Sequence, residues 1–144
     1  MRACFPCGHG SHVIVRLWKN ELVTLRRDLP GPYAFPVVEE ALADGVGSLR
    51  AERSVDLPAQ PVVRELARGR QVVQDNCRTA YDDPAFQSML DAYGGLAAQI
   101  VTPIHSDGTL VAILSLHQLA EPRRWSEDEI EAATAAAERV RELL

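Results

Sequence analysis

The segment Leu96–Gln118 constrains the fold of this chain more than any other part of its sequence. It consists of two apolar stretches on either side of the pair Asp107–Gly108. This pair favours the two-residue turn of a β-hairpin, because both central residues of a type I′ turn need positive φ. The segment is therefore predicted to form two long antiparallel strands. The predicted register places His105 opposite Leu110, Pro103 opposite Ala112 and Val101 opposite Leu114.

Two different faces are predicted for this hairpin, because successive side chains of a strand point to opposite sides of the sheet. One face is aliphatic and is expected beneath a helix; it carries Leu110, Ala112, Leu114 and Leu116. The other face mixes apolar with polar side chains; it carries Ile100, Thr102, Ile104, Val111, Ile113, Ser115 and His117. Buried polar groups need hydrogen-bonding partners. The mixed face is therefore predicted to be the floor of a small-molecule pocket.

Length and charge narrow the classes of protein to which the chain can belong. Its 144 residues suffice for one domain with an apolar core. The net charge of −5 argues against a nucleic-acid partner. No apolar run approaches the ~20 residues of a membrane span, so no membrane partner is expected. The first residues do not resemble a signal peptide, and three cysteines do not make a disulfide framework. A cytoplasmic protein is predicted.

Residues 1–21 are interpreted as an N-terminal tail with one short, ambiguous element, and residues 22–144 as the folded domain. The segment Ser11–Asn20 fits one helical face, yet its β-branched residues also suit a strand. A structural zinc site usually splits its ligands across a longer loop, so a tail without metal is predicted here and a zinc site is the alternative. The tail contains thiols and imidazoles that suit zinc: Cys4, Cys7, His9 and His12.

The rest of the chain alternates strands with helices. Strands are predicted at residues 22–27, 35–42 and 71–74. Short helices are predicted from Pro61 to a C-cap at Gly69, and over residues 84–93. A final helix is predicted over Ser126–Leu144, where Ser126 and Glu129 match a capping box. Its apolar side chains form one stripe, which consists of Ile130, Ala133, Ala137, Val140 and Leu144.

Several segments with this order of elements resemble the GAF domains of bacterial sensory and regulatory proteins, including the bilin-binding branch. The segments that carry the resemblance are Arg70–Asp75, Gln99–Ile104, Asp107–Gly108, Leu110–Gln118, Pro122–Trp125 and Glu127–Glu129. The resemblance implies an α+β fold with a central antiparallel sheet. Terminal helices would cover one face, and a ligand pocket would lie under short helices on the other. GAF domains usually begin with a substantial helix, for which only the short segment Ser11–Asn20 is available here.

The pocket implied by this resemblance would be lined by the mixed face of the hairpin and by the segments above it. Aromatic and methionine side chains would form apolar walls, while polar side chains would orient a ligand. Several candidates have a simpler interpretation: Phe86, Met89 and His117 as core residues, and Arg78 as a solvated charge. The candidate ligand-binding residues are Asp75, Cys77, Arg78, Tyr81, Phe86, Met89, Tyr93, Thr102, Ser115 and His117.

The resulting hypothesis is a sensor or signal-relay domain without catalytic activity of its own. Cys77 and His117 are the types of residue that form a nucleophile and its base, but no acid stands out to orient the imidazole. Arg78 follows Cys77, whereas bilin-attaching cysteines are usually followed by histidine. A purely structural dimerisation module is one alternative. A free methionine sulfoxide reductase is another, although Cys4 and Cys7 lie in the unmatched tail. The sequence names no ligand or cofactor.

A homodimer is the expected assembly. The terminal helix should cover the aliphatic face of the sheet with one side, and its partner helix at the N-terminus is short or missing. An apolar side without a partner favours association, and a two-fold dimer is the commonest closed assembly. The interface is predicted to consist largely of the helix over Ser126–Leu144 and the segment Ser11–Asn20.

Overall fold

A five-stranded antiparallel sheet forms the centre of the computed structural model, which describes residues 2–6 and 12–144, with side chains from Leu17 onward. The strand order is β4-β3-β7-β6-β5. The strands β1 and β2 pair with each other in a separate hairpin. The strands are β1 (Arg2–Pro6), β2 (His12–Arg16), β3 (Glu21–Arg27), β4 (Val37–Leu42), β5 (Val72–Gln74), β6 (Leu96–Ser106) and β7 (Thr109–Leu119). The helices are α1 (Pro61–Ala67), α2 (Pro84–Ala92) and α3 (Glu127–Leu143), with short 3-10 turns at Leu57–Ala59 and Cys77–Thr79.

The turn between β6 and β7 is formed by Asp107 and Gly108, as predicted. Their φ angles are 52° and 77°, the left-handed values that this turn needs. The predicted pairing of His105 with Leu110 is also confirmed. The rest of the predicted register is wrong, because a bulge between Ile104 and His105 shifts β6 by one residue. An extra residue in one strand changes which side chains face which side of the sheet.

The bulge exchanges the two faces of β6 relative to the prediction. Val101 pairs with Ser115 rather than Leu114, and Pro103 pairs with Ile113 rather than Ala112. Side chains at even positions of β6, which were expected over the pocket, therefore face the terminal helix. Ile100 and Ile104 lie in the apolar clusters on that side. The mixed face of β7 is as predicted for Ile113, Ser115 and His117.

The two faces of the sheet are covered by different helices. Helix α3 packs on the face that carries Val23 and Leu25 of β3 and Ala112 and Leu114 of β7. Helices α1 and α2 pack on the opposite face, where their buried side chains join Leu22 and Ile113 in a larger cluster. This arrangement confirms the predicted α+β architecture, with the terminal helix on one face and short helices on the other.

Helix α3 begins at the predicted capping box. The hydroxyl of Ser126 accepts a hydrogen bond from the backbone N–H of Glu129 at 3.1 Å, and the Glu129 carboxylate accepts one from the backbone N–H of Ser126 at 3.0 Å. Of the predicted stripe, Ala137 and Val140 are buried, whereas Leu144 is 44% exposed. The stripe therefore faces the sheet from Ile130 to Val140, but not at Leu144. None of the helices in the described part of the chain has the length and apolar character needed to cross a membrane.

The ambiguous segment before β3 forms a strand, β2, rather than a helix. It pairs with β1 and contacts α3. The β-branched side chains of the segment favour this outcome. The candidate zinc ligands Cys4, Cys7, His9 and His12 lie outside the residues whose side chains the structure describes. Among the side chains that it does describe, no group of three or more histidine, cysteine or acidic residues is arranged to hold a metal.

Candidate functional site

A cavity of about 40 Å³ lies between the sheet and the short helices α1 and α2. Its floor consists of side chains from β3, β6 and β7, which face the same side of the sheet. Its walls come from α1, α2 and the turn before α1. The cavity is lined by Arg26, Leu57, Gln60, Val62, Val63, Leu66, Met89, Tyr93, Gln99, Val101, Ile113, Ser115 and His117.

Arg26 places a positive charge at this cavity, although its side chain is only 4% exposed. Its Nη1 donates a hydrogen bond to the carbonyl oxygen of Phe35 at 3.0 Å. Its Nη2 donates one to the hydroxyl of Tyr93 at 3.3 Å. The guanidinium carbon also lies 5.8 Å from the centroid of the Tyr93 ring, within the range of a cation–π contact. Both hydrogen-bond acceptors are neutral groups.

His117 stacks on the ring of Tyr93, with the centroids 5.9 Å apart and an interplanar angle of 22°. Burial, together with the charge of Arg26, lowers the pKa of His117 to about 3, so its imidazole is neutral near pH 7. Its Nδ1 atom is buried and has no hydrogen-bond partner. Burial raises the pKa of the Tyr93 hydroxyl to about 12, so that group is also neutral. Both rings can therefore act as hydrogen-bonding groups without carrying charge.

Two glutamine side chains add polar atoms to the cavity wall. Gln99 donates a hydrogen bond to the side-chain oxygen of Gln74 at 2.8 Å. Gln60 makes only a long hydrogen bond of 3.5 Å to the carbonyl oxygen of Ala85, and its side-chain oxygen is buried without a partner. Buried polar atoms in folded proteins are almost always satisfied by protein groups, water or a ligand. Gln60 and His117 of the cavity lining therefore each have a buried polar atom that no described protein group satisfies.

The size of the cavity limits what it holds in this conformation. A buried water needs at least about 10–15 Å³ of space that the centre of a water molecule can occupy, and the volume of this cavity is of that kind. A cavity of about 40 Å³ therefore accommodates about three waters or a molecule of similar size. Pockets for drug-sized ligands are typically about 300–1,000 Å³.

The family model for the GAF domain matches residues 9–143, nearly the whole chain. The chain belongs to the GAF domain family. The resemblance seen in the sequence is thereby confirmed. A comparison with curated protein sequences gives no match.

Solved structures with the same fold include GAF domains of photoreceptors. The cyanobacteriochrome TePixJ GAF domain is 23% identical, with a TM-score of 0.70, and the match covers 85% of this chain and 76% of that one. The far-red absorbing dark state of a domain with bound biliverdin is 15% identical, with a TM-score of 0.63 and coverage of 85% and 77%. A domain of a two-component sensor histidine kinase protein from Sinorhizobium meliloti is 14% identical, with a TM-score of 0.60 and coverage of 84% and 75%. At these identities the likeness shows a common fold.

Some of the candidate residues from the sequence meet at the cavity of this GAF domain. Met89 and Tyr93 reach it from α2 and its C-terminal end, and Ser115 and His117 reach it from β7. They come together because β7 presents alternate residues to the side on which α2 packs.

Two candidates lie at the surface and make structural contacts instead. The carboxylate of Asp75 accepts a hydrogen bond from the backbone N–H of Trp125 at 3.1 Å, which ties the end of β5 to the segment before α3. The guanidinium of Arg78 binds the side chains of Gln87 and Asp91 on α2. Neither side chain lines the cavity.

Three further candidates belong to the apolar core beside the cavity. Cys77 and Phe86 are fully buried, and Tyr81 packs against Phe86 edge-to-face with the ring centroids 4.9 Å apart. Burial raises the pKa of the Cys77 thiol to about 12. A thiol with this pKa and no exposure has little nucleophilic character near pH 7.

Thr102 is placed on the opposite side of the sheet from the cavity. Its hydroxyl accepts a hydrogen bond from Gln71 at 3.0 Å, and the same Gln71 amide reaches Thr134 of α3 at 3.1 Å. The register shift at the bulge is the cause, since it turns the even positions of β6 toward α3.

The sequence analysis missed three polar residues that line the cavity: Arg26, Gln60 and Gln99. Arg26 follows Leu22 and Thr24 at every second position of β3, so the three side chains share one face. Strand alternation could therefore have placed Arg26 on the pocket side. Gln99 is on the pocket side only with the correct register of β6. No pattern within the sequence distinguishes Gln60. It lies just before α1 and in no strand, so strand alternation does not apply to it.

Proposed function

We propose that this GAF domain senses a small molecule and has no catalytic activity of its own. The observation that carries the proposal is a cavity whose lining residues His117 and Gln60 have buried polar atoms, Nδ1 and Oε1, without partners. We propose that Met89, Tyr93, Ser115 and His117 contact the ligand, together with Arg26, Gln60 and Gln99. The proposal also places the domain in the cytoplasm, where unpaired cysteines such as the buried Cys77 are usual.

The ligand that we propose is much smaller than a bilin. The cavity of about 40 Å³ has no room for a tetrapyrrole such as the biliverdin bound in one neighbour. The thiol of Cys77 is fully buried and has a pKa of about 12, which does not favour covalent attachment. The same properties of Cys77 argue against the alternative of a methionine sulfoxide reductase.

A route for relaying occupancy runs along β3. Arg26 lies at the cavity near one end of this strand, and Glu21 begins the other end. Arg123 donates a hydrogen bond to the Glu21 carboxylate at 2.7 Å and also binds the Glu129 carboxylate of the α3 capping box. We propose that a ligand that shifts β3 would shift the start of α3 through Arg123.

We also propose that the domain acts as a homodimer through the outward side of α3. That side carries small residues, including the exposed Ala132 and Ala135, which allow another helix to approach closely. Leu144, immediately after α3, also exposes a hydrophobic side chain, of which 44% is accessible. A structural dimerisation module without a ligand is the alternative function, and the small volume of the cavity favours it.

Native mass spectrometry of purified protein tests the proposed sensing function. A bound small molecule that is retained by the wild-type protein and lost from His117→Ala would support it. The matched control is His105→Ala, at a half-buried position near the hairpin turn that does not line the cavity. If no small molecule is retained and none of a metabolite panel raises the melting temperature, the structural module replaces the sensor.

A further inference from the structure

Within the described part of the chain, the guanidinium of Arg26 is hydrogen-bonded only to neutral groups. Among the described residues, the ion pairs involve other arginines, and none involves Arg26. The first sixteen residues contain no aspartate or glutamate that could supply one. A guanidinium remains positively charged at physiological pH. A buried charge without a partner is costly for the folded state, and an anion would remove that cost.

The charge of Arg26 is the smallest of the causes that act on the pKa of Glu52, which it lowers. Its carboxylate is engaged elsewhere, because it accepts hydrogen bonds from the backbone N–H of Ser54 at 2.7 Å and from the Ser54 hydroxyl at 2.5 Å. Ser54 is the main reason that the pKa of Glu52 is lowered. Glu52 therefore stays ionised near neutral pH, but it forms no ion pair with Arg26 and does not line the cavity.

The remaining polar groups of the cavity suit an anion as well. Nδ1 of His117 has no partner, and in the tautomer that protonates it this atom is a hydrogen-bond donor. The amide of Gln60 makes only a 3.5 Å contact in its present orientation. Its NH₂ group carries a second N–H, which is in no hydrogen bond with the described residues. The cavity lining therefore includes donors from three residues, Arg26, His117 and Gln60.

The volume restricts the anion to a small one. A cavity of about 40 Å³ holds about three or four non-hydrogen atoms. Formate, acetate and nitrate are of this size, and each presents two oxygens in one plane. That geometry matches the two parallel N–H groups of a guanidinium.

We propose that the cavity binds a small planar monoanion, a short carboxylate or nitrate, with Arg26 as its charged ligand and His117 and Gln60 as neutral donors. This inference rests on the proposed sensing function and names the class of molecule sensed. Binding would add a negative charge beside β3, the strand of the relay route, and give His117 Nδ1 a hydrogen-bond acceptor.

Thermal unfolding with matched pairs of probes tests this inference. Sodium formate, acetate and nitrate are compared with formamide and acetamide, which have the shape of the carboxylates without the charge. Sodium gluconate keeps the ionic strength constant. It is suitable because its anion is too large to enter the cavity. We expect saturable stabilisation by at least one of the small anions, with a rise in melting temperature of about 3 °C at ten times its Kd, and none by the amides. The response to nitrate relative to the carboxylates identifies the kind of anion.

Arg26→Gln should weaken anion binding by about 100-fold, because charge-assisted hydrogen bonds are lost. Arg27→Gln, its neighbour on the opposite face of β3, is the matched control and should respond like the wild-type protein. If Arg26→Gln does not fold, Arg26→Lys keeps the charge without the paired donors, and it should bind nitrate and carboxylates more weakly.

The outcomes separate this inference from the proposed function. If the amides stabilise the protein as well as the anions do, or if Arg26→Gln responds like the wild-type protein, the anion assignment is wrong while ligand sensing stands. If none of the anions stabilises the wild-type protein, the assignment is also wrong. The retention of a different molecule in native mass spectrometry then decides whether the domain senses anything.

Discussion

His117 shows how one position can combine burial with a titratable group. It is 4% exposed and stacks on Tyr93, yet one of its ring nitrogens has no partner. Burial and the nearby Arg26 keep the imidazole neutral in the folded protein. In the unfolded chain, the same imidazole takes up a proton near its ordinary pKa of about 6.5.

The stability of the protein should consequently depend on His117 in acid. Because its folded pKa is about 3, lower than in the unfolded chain, the unfolded state binds more protons as the pH falls from about 6.5 toward 3. We expect the free energy of unfolding to fall by about 3 kcal/mol more in the wild-type protein than in His117→Gln between neutral pH and about pH 4. Urea unfolding across this range measures the difference. His105→Gln should follow the wild-type protein, and equal pH profiles for His117→Gln and wild type would refute the account.

The β6–β7 hairpin illustrates how an element depends on a few residues at its turn. Gly108 has a φ of +77°, and a Cβ built there would meet no atom within 4 Å. The cost of a side chain is therefore conformational rather than steric. We expect Gly108→Ala to lower the free energy of unfolding by about 1 kcal/mol.

Gly47→Ala is the matched control for this hairpin prediction, because Gly47 has no positive φ and equally open surroundings. It should leave stability unchanged or slightly improved, since alanine restricts the unfolded chain. Chemical denaturation of both variants gives the comparison, and equal losses in the two would show that φ is not the cause.

The link between β3 and α3 depends on a single side chain. Arg123 binds Glu21, which is 1% exposed, and its guanidinium carbon lies 4.3 Å from the centroid of the Trp125 ring. We expect Arg123→Gln to cost about 2 kcal/mol at neutral pH, because a buried carboxylate loses its partner. Arg124→Gln, at an exposed neighbouring position, should cost little.

The pH dependence of the Arg123→Gln variant gives a further check on this link. Burial already raises the pKa of Glu21, although Arg123 opposes the shift. Without Arg123 that pKa should rise further, so Glu21 is protonated in the folded variant at mildly acidic pH. The stability difference from the wild-type protein should therefore shrink as the pH falls. A difference that stays constant with pH would mean that the lost packing on Trp125, and not the charge, is responsible.

Assembly is the question at the scale of the whole molecule. Val140 is 1% exposed because it packs against the sheet, so a charge at this position would unfold the domain without reporting on an interface. The outward side of α3, where Ala135 is exposed, is available for a partner. The proposed homodimer therefore has to be tested on that side.

We expect sedimentation at micromolar concentration to show a dimer that Ala135→Glu dissociates while the far-ultraviolet circular dichroism stays unchanged. The control is Leu29→Glu. Leu29 is also exposed, with 38% of its surface accessible, but it lies in the loop after β3. This variant should remain dimeric. A monomeric wild-type protein, or a dimer that Ala135→Glu leaves intact, would contradict the proposed interface.

Sequence alone determined the features of this GAF domain that depend on neighbouring residues. The turn at Asp107 and Gly108 follows from a local demand for positive φ. The start of α3 follows from the reciprocal hydrogen bonds of Ser126 and Glu129, three residues apart. Alternation along β7 was enough to place Ser115 and His117 on the pocket side.

Only the tertiary structure decided which side chains meet at the cavity. The bulge between Ile104 and His105 reverses the faces of β6, and the local sequence gives no sign of it. Arg26 reaches Tyr93, which is 67 residues away along the chain. Such contacts depend on how the short helices pack over the sheet, so they follow from the shape of the whole core rather than from any local pattern.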